Sequence, residues 1–319
     1  MLKKNKNRAK APNTVLRSLL VAVGLLLFVG LLGAGYFYLD RLESPPDTRG
    51  MPVDVHFLQT ENDADCALIK QGDISILIDT GEDTDAEAIM AFLEEQGVNS
   101  ISLLILTHPD KDHIGGAPAL VERFPVKRVV YPRYNKDSEA FDLLKQQLRQ
   151  QGVQATVPLL SRTLTVGDIS LSFFPPYETN YKKDNNYSLA VLASHGDVRM
   201  LFAADAEEKR LQELMKIHWP EIDLLKVPHH GRASVSSGAF IEIITPEYAV
   251  VTSDTADMVV KNALESAGTE MFFTRQGRVS FQSDGVGLVP AGERRKAAGW
   301  KAIFRDWVMD YSVPKNKKE

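Results

Sequence analysis

Ile101, Leu103, Leu104, Ile105 and Leu106 form a near-continuous apolar run, too short for a free-standing helix, and predict a buried strand that stops at Thr107. Upstream, residues 52–58, 66–70 and 74–78 read as strands separated by polar turns, the third ending in Asp79-Thr80-Gly81. Between them and the buried strand, Ile89, Phe92 and Leu93 predict a helix over 85–96, with Gly97 placed to end it. Downstream, a helix is expected from Gly115-Gly116 to Arg123 and a strand at 126–131. An amphipathic helix over 138–151 carries Phe141, Leu144 and Leu148 and closes at Gly152. Strands follow at 153–157, in two runs joined by Gly167-Asp168, and in a hairpin of 188–194 with 198–203 that turns at His195-Gly196-Asp197. Beyond it the pattern predicts a helix at 207–218, strands at 222–227 and 248–252, a helix near 258–266, a strand at 271–274 and a closing hairpin around Ser283-Asp284-Gly285.

Strands alternating with helices, interspersed with antiparallel hairpins, predict an α/β fold. Its expected form is two mixed sheets packed face to face with helices outside, in one domain over residues 51–290. The flanks differ in pattern. Lys3, Lys4, Lys6, Arg8, Lys10 and Arg17 make residues 1–17 a basic tail, and residues 18–39 are uncharged and end in Tyr36, Phe37 and Tyr38. That length matches the ~20 residues needed to span a hydrocarbon core, with aromatics at the interface. A cleaved signal peptide has a shorter apolar region and a small-residue cleavage site, so an uncleaved anchor is the better reading. The basic flank keeps the tail cytoplasmic and sends everything after Arg41 across the membrane. Residues 40–50 form a Pro-containing linker. At the other end, within 291–319, Trp300, Ile303, Phe304, Trp307, Val308 and Tyr311 share one helical face, suited to docking on the domain or lying on a membrane surface.

Of the 319 residues 25% are charged and 44% hydrophobic, which leaves room for one large domain plus these appendages. The single cysteine, Cys66, excludes an intramolecular disulfide and a cysteine-rich zinc site. Net charge is −5, and the basic tail together with a net +4 over 293–319 leaves −15 on residues 18–292. A body this acidic is no general nucleic-acid binder, since such binding rests on basic surface. No serine-nucleophile elbow and no P-loop is present.

Three apolar strands end in metal-ligand types. The buried strand runs into His108, Asp110, Asp112 and His113, the hairpin's second arm into Asp205, and the 222–227 strand into His229 and His230. Imidazole and carboxylate together suit first-row divalent metals, and a carboxylate from a separate strand can bridge two of them. His56, His195 and His218 lie on a strand, in a turn and near a helix end, without such company. Lys182 and Lys183 read as solvated loop charges.

The motifs LIDTG (77–81), THPDKDHIGG (107–116), NNYSLAV (185–191), AAD (203–205) and KVPHHG (226–231) resemble, in order and spacing, the metallo-β-lactamase superfamily. Within it they look most like the hydrolase-like domain of ComEC-type competence proteins. The resemblance covers roughly residues 51–290 and implies an αββα sandwich holding two divalent ions, Zn²⁺ or Mn²⁺. It implies a first site of His108 and Asp110 and a second of Asp112, His113 and His230, with Asp205 shared. His230 is preferred to His229 because it stands just before Gly231, as the family's ligand histidine does. Asp110 replaces the usual second histidine, and an oxygen-rich first site suits a harder ion, so Mn²⁺ stands beside Zn²⁺. The remaining roles are Asp79 behind the ligands, His229 as proton donor, and Asn186 and Ser188 as ligands or substrate contacts. Two departures from the family stand out: the early Gly-Gln-Gly-Asp turn is Asn62-Asp63-Ala64-Asp65, and the late His-Pro pair is absent from 252–257.

The resulting expectation is a membrane-anchored, exported, metal-dependent hydrolase that uses a metal-bound hydroxide on a phosphodiester, with DNA the leading substrate. Hydrolysis of another phosphoester or ester, such as a cell-wall polymer, and a non-catalytic metal-binding scaffold are the alternatives.

Overall fold

The computed structural model describes residues 48–134 and 138–291. The first sheet is built from β1 (Val53–Phe57), β2 (Ala67–Gln71), β3 (Ile74–Ile78), β4 (Leu103–Ile105), β5 (Arg128–Val130) and β6 (Gln154–Thr156). β14 (Val279–Ser283) and β15 (Leu288–Pro290) complete it, in the order β15-β14-β1-β2-β3-β4-β5-β6. The second contains β7 (Arg162–Val166), β8 (Ile169–Phe174), β9 (Ala190–His195), β10 (Val198–Phe202), β11 (Leu224–Lys226), β12 (Tyr248–Val251) and β13 (Glu270–Phe273), ordered β13-β12-β11-β10-β9-β8-β7. Each sheet changes character part-way across. β15 to β3 pair antiparallel and β3 to β6 parallel. β7 to β10 pair antiparallel and β10 to β13 parallel.

Period-two alternation sorts each strand between two apolar layers. Val55, Ile69 and Ile76 of the first sheet join Leu171, Val191 and Met200 of the second in one core between the sheets. The opposite faces carry the helices. α1 (Ala86–Glu95), α3 (Ala117–Arg123) and α4 (Glu139–Gln150) pack Ile89, Leu120 and Leu144 with Leu68, Leu77 and Leu104. On the second sheet, α5 (Glu208–Leu214) and α6 (Ser237–Ile244) cover Leu201 and Leu225, and α7 (Met258–Ser266) covers Ala249 and Val251. The result is the expected helix–sheet–sheet–helix sandwich. β4 explains its unbroken apolar run: Leu103 and Ile105 face the other sheet while Leu104 faces the helices, so both sides are dry.

The differences from expectation are local. α6 was not foreseen, because its apolar Phe240, Ile241 and Ile244 follow a Ser236-Ser237-Gly238 opening that reads as a turn. Lys111–Ile114 forms a one-turn helix, α2, inside the stretch expected to be a loop. The 101–106 run is regular only as β4, with Ile101 held by an isolated bridge to Val126. Thr48, placed in the linker by pattern, is buried against the domain, where Gln71 donates to its carbonyl. Among the described residues no helix is long and apolar enough to cross a membrane. The expected anchor at 18–39, the tail at 1–17 and the amphipathic helix within 291–319 lie outside them.

Parallel pairing aligns the carboxyl ends that matter. Ile78 sits opposite Ile105, Phe202 opposite Lys226, and Lys226 opposite Val250. Asp79, Thr107, Asp205, His230 and Thr252 therefore all leave their strands at one edge of the sandwich. The chain can pass there only because residue 116 lacks a side chain: a Cβ on Gly116 would lie 2.3 Å from the Thr80 carbonyl oxygen. Gly116→Ala is expected to destabilise the domain by about 1–3 kcal/mol, the range for overpacking against a neighbour that cannot yield. Gly152→Ala, at positive φ but with nothing within 4 Å, should cost only about 1 kcal/mol. Equilibrium urea unfolding of the two variants checks the contrast.

Candidate metal centre

The site is assembled from strand ends whose backbones are stitched together. The Asp79 amide donates to the Ile105 carbonyl, the Thr80 amide to that of His113, and the Leu189 amide to that of Thr107. Several of these turns are held at positive φ by non-glycine residues: Asp79 (57°), Ala204 (52°), His229 (50°) and His230 (53°). Each such residue costs about 1–3 kcal/mol, and such strain gathers where surrounding structure dictates a side chain's direction.

Four side chains converge. His230 Nε2 lies 3.0 Å from Asp205 Oδ2 and 3.2 Å from Asp112 Oδ2, while His113 Nε2 lies 3.3 Å from Asp205 Oδ1 and 3.7 Å from Asp112 Oδ2. One ligand atom from each of the four falls within 4.8 Å of the others. This is the group expected as the second site, including the shared Asp205. The pair expected for the first site stands next to it. His108 Nε2 is 3.6 Å from Asp110 Oδ2, and the His108 ring centroid is 3.9 Å from that of His113.

Orienting contacts explain which ring nitrogen faces inward. Asp79 Oδ2 lies 2.8 Å from His113 Nδ1 and accepts from the Thr107 hydroxyl at 2.6 Å, while its Oδ1 accepts from the Thr107 amide at 2.7 Å. An Asp79 carboxylate so placed puts the His113 proton on Nδ1 and leaves the Nε2 lone pair toward Asp112 and Asp205, the arrangement found behind metal-ligating histidines. His230 is held the same way, its Nδ1 2.9 Å from Thr252 Oγ1. The Nε2 atoms of both His108 and His113 are buried without a hydrogen-bond partner. Ring nitrogens set among carboxylates without a hydrogen-bond partner fit a divalent cation.

In the metal-free chain the surrounding carboxylates instead draw protons onto the His113 and His230 rings, protons that a bound divalent cation would displace. Burial opposes a proton on His113 and on His230, yet Asp205 and its neighbouring carboxylates override it, raising His113 well above its ordinary value and pushing His230 up to about 10. Burial likewise opposes charge on Asp205 and Asp112. The imidazoles that face them, with Lys226 added at Asp205, hold both carboxyls below the usual range.

Other expected residues take different parts. Asn186 Oδ1 accepts from the Arg210 amide near the start of α5. Ser188 Oγ accepts from the Asp205 amide at 3.2 Å and so fixes the backbone of the shared carboxylate. His229 lies outside the four-ligand group, with Nε2 3.2 Å from Asn185 Nδ2. His56 and His195 bond Ser280 and Ser283 in the β14 strand, and His218 is exposed.

Residues 60–252, more than half of the chain, match the family model for the metallo-beta-lactamase superfamily. The chain belongs to that superfamily. Among curated metallo-beta-lactamase relatives of ComEC type, it is 30% identical to ComE operon protein 3 of Bacillus subtilis over 52% of this chain and 22% of that protein. It is 26% identical to Recombination protein 2 of Haemophilus influenzae, over 58% of this chain and 22% of that one. The chain thus matches less than a third of the length of these relatives. The metallo-beta-lactamase fold protein YhfI of Bacillus subtilis superposes with a TM-score of 0.51 at 14% identity, covering 73% of this chain and all of that one, which speaks to fold alone.

Two residues at the metallo-beta-lactamase site escaped the sequence reading. Asp65, in the altered early turn, is buried with Oδ1 3.2 Å from His230 Nδ1 and Oδ2 3.7 Å from His113 Nδ1. Lys226 pairs with Asp65 and stands 3.4 Å from Asp205 Oδ1. The signal for Lys226 was present: an ammonium in the last position of an apolar strand must have a partner.

In metal-free protein the raised histidines set a pH dependence. A histidine whose folded value exceeds its unfolded one adds stability in full below the unfolded value, and loses it as pH climbs through the folded one. The metal-free chain should therefore melt at progressively lower temperature from about pH 6.5 toward pH 10, the value for His230. The lowered Asp205 works in the opposite sense, its contribution fading as pH falls below about 4. Differential scanning calorimetry in chelator across this range checks both limbs.

Proposed function

We propose that this chain is a metal-dependent hydrolase of phosphodiesters, anchored by residues 18–39 with its domain on the exported side of the membrane. The observation that carries this reading is the convergence of Asp112, His113, Asp205 and His230, with the partnerless Nε2 of His113 aimed into the group. His108 and Asp110 provide a second, more open place beside it. Divalent ions held by these residues would supply Lewis acidity toward a phosphoryl oxygen and would bring the pKa of water toward neutrality. The chain's own groups do the rest. Asp79 and Thr107 fix His113, and Ser188 fixes Asp205, so the ligand set needs little rearrangement. Asp112 is the partly open member of the four and lies on the side from which substrate arrives. His229, beside His230 but outside the four-ligand group, is assigned proton transfer at the leaving group.

Competence proteins among the relatives favour nucleic acid as the phosphodiester. One observation favours a smaller or less charged ester. Near the site, Lys111 pairs with Glu82 and Asp83, Lys183 with Glu207 and Glu208, and Arg232 with Asp63. Cations already matched by carboxylates hold a polyanion weakly.

The test uses the full chain, purified and supplied with Mn²⁺ or Zn²⁺, on bis(p-nitrophenyl) phosphate and on single- and double-stranded DNA. Turnover is expected, with a loss of at least about a thousandfold in Asp205→Ala. His230→Ala should lose bound metal, whereas His229→Ala should keep its metal and lose about 10²-fold in rate. No turnover under either ion, or equal turnover in Asp205→Ala, overturns the enzyme reading in favour of a metal-binding scaffold.

A further inference from the structure

A charged ammonium sits where the sandwich should be apolar. Along β11, Leu224 faces the core between the sheets and Leu225 faces the helices, so the alternation returns Lys226 to the inter-sheet side. Its neighbours in the adjoining strands are Phe202 and Val250, and it is only 3% exposed. Burying an ammonium there is costly unless it is fully matched. Lys226 has three partners: Asp65 Oδ2, Asp205 Oδ1 at 3.4 Å, and the Ala204 carbonyl oxygen at 3.3 Å.

Two of those partners are the carboxylates that organise the histidines. Asp65 Oδ1 meets His230 Nδ1, and Asp205 meets the Nε2 atoms of both His230 and His113. The backbone of Asp65 is tied in as well, its amide donating to the Asp112 carbonyl and its own carbonyl accepting from the Gly81 amide. A single cation thus contacts Asp65 and Asp205 directly and reaches His113 and His230 through them.

We infer that Lys226 is a positioning residue: its ammonium is a resident cation that holds Asp65 and Asp205 in their working orientation before any metal arrives. The inference rests on the metal-centre reading of the site and extends it to the metal-free state. Without such a cation, Asp65, Asp79, Asp112 and Asp205 would gather in one buried place with only imidazoles to offset them, and the ligand set would spread apart. With it, Asp205 keeps Oδ2 toward His230 while Oδ1 is shared between His113 and the ammonium. The same contact reaches the Ala204 carbonyl at a residue of positive φ, so the lysine also braces the strained turn that delivers Asp205.

A purely electrostatic role and a positioning role predict opposite signs. If Lys226 only repelled incoming cations, removing its charge would tighten metal binding. If it positions the ligands, removing it weakens binding. The experiment measures Mn²⁺ and Zn²⁺ affinity of the chelator-treated full chain by isothermal titration calorimetry, in wild type, Lys226→Met and Lys226→Met/Asp65→Asn. Thermal melting is followed with and without metal. Affinity should fall at least tenfold in Lys226→Met, and the melting gap between metal-loaded and metal-free protein at one metal concentration should narrow below that of wild type. The double variant removes one unpaired carboxylate and should regain stability, yet its affinity should stay weak because Asp205 still lacks its anchor. Affinity that is unchanged or tighter in Lys226→Met, or that returns with stability in the double variant, overturns the inference. Imidazole ¹⁵N resonances of metal-free wild type give a reading that needs no variant: separate, sharp signals for His113 and His230 support fixed rings, and averaged signals overturn it. Wild type that binds neither ion instead overturns the metal-centre reading itself.

Discussion

Parallel pairing of β3 with β4, and of β11 with β10 and β12, is the constraint on which the site depends. Parallel strands in register end at the same edge, so the chain must turn out of the sheet at neighbouring points. In this fold both sheets turn from antiparallel to parallel part-way across, and the edges with aligned carboxyl ends lie together because one apolar core locks the sheets face to face. The crevice outside the carboxyl ends of parallel strands is where α/β proteins place their ligands, for this reason of geometry. Once the core sets, the separation of Asp112 from Asp205 and of His113 from His230 follows from strand register rather than from any direct attraction between them.

That attraction would in any case be weak guidance. Carboxylates buried together repel, and burial alone pushes each toward its neutral form. Here the balance is tipped by cations of two kinds, the imidazoles of His113 and His230 and the ammonium of Lys226. They hold Asp205 and Asp65 in the charged state that a divalent ion requires. Around this charge cluster lies a layer of neutral groups with specific jobs. The Thr107 hydroxyl spans Asp79 and the His108 and His113 rings, Thr252 backs His230, and Ser188 backs the Asp205 amide. Arg210 extends the layer outward, donating to the Ser188 carbonyl and pairing with Glu213, which keeps the 185–188 segment against α5. The candidate metal centre in this chain is thus a small part of a larger polar network sunk into an apolar sandwich.

The strands and most helices were legible because their apolar spacing is local and strong, as at 101–106 and 138–151. The helix Ser237–Ile244 was not, since its polar opening resembles a turn and only its packing on the second sheet makes it helical. Within the site, the cluster of His108, Asp110, Asp112 and His113 was visible because all four fall in six residues of one turn. The resemblance offered Asn186 as a ligand or substrate contact; what the fold adds is that its Oδ1 accepts from the Arg210 amide, a partner 24 residues away. Asp65 looked like part of an altered turn until the fold brought it beneath His113 and His230.

What this sequence determined by itself is therefore the local chemistry: which strands are buried, where they stop, and which ligand types stand at their ends. Side-chain period and loop composition act over a few residues, so they survive without knowledge of the fold. What only the tertiary structure decided is direction and partnership. It set Nε2 of His230 against Asp205 and Nε2 of His229 against Asn185, gave Asn186 the Arg210 amide as a partner, and set the ammonium of Lys226 between two carboxylates from different sheets. Those choices are fixed by register across a shared core, a quantity that no window of the chain contains.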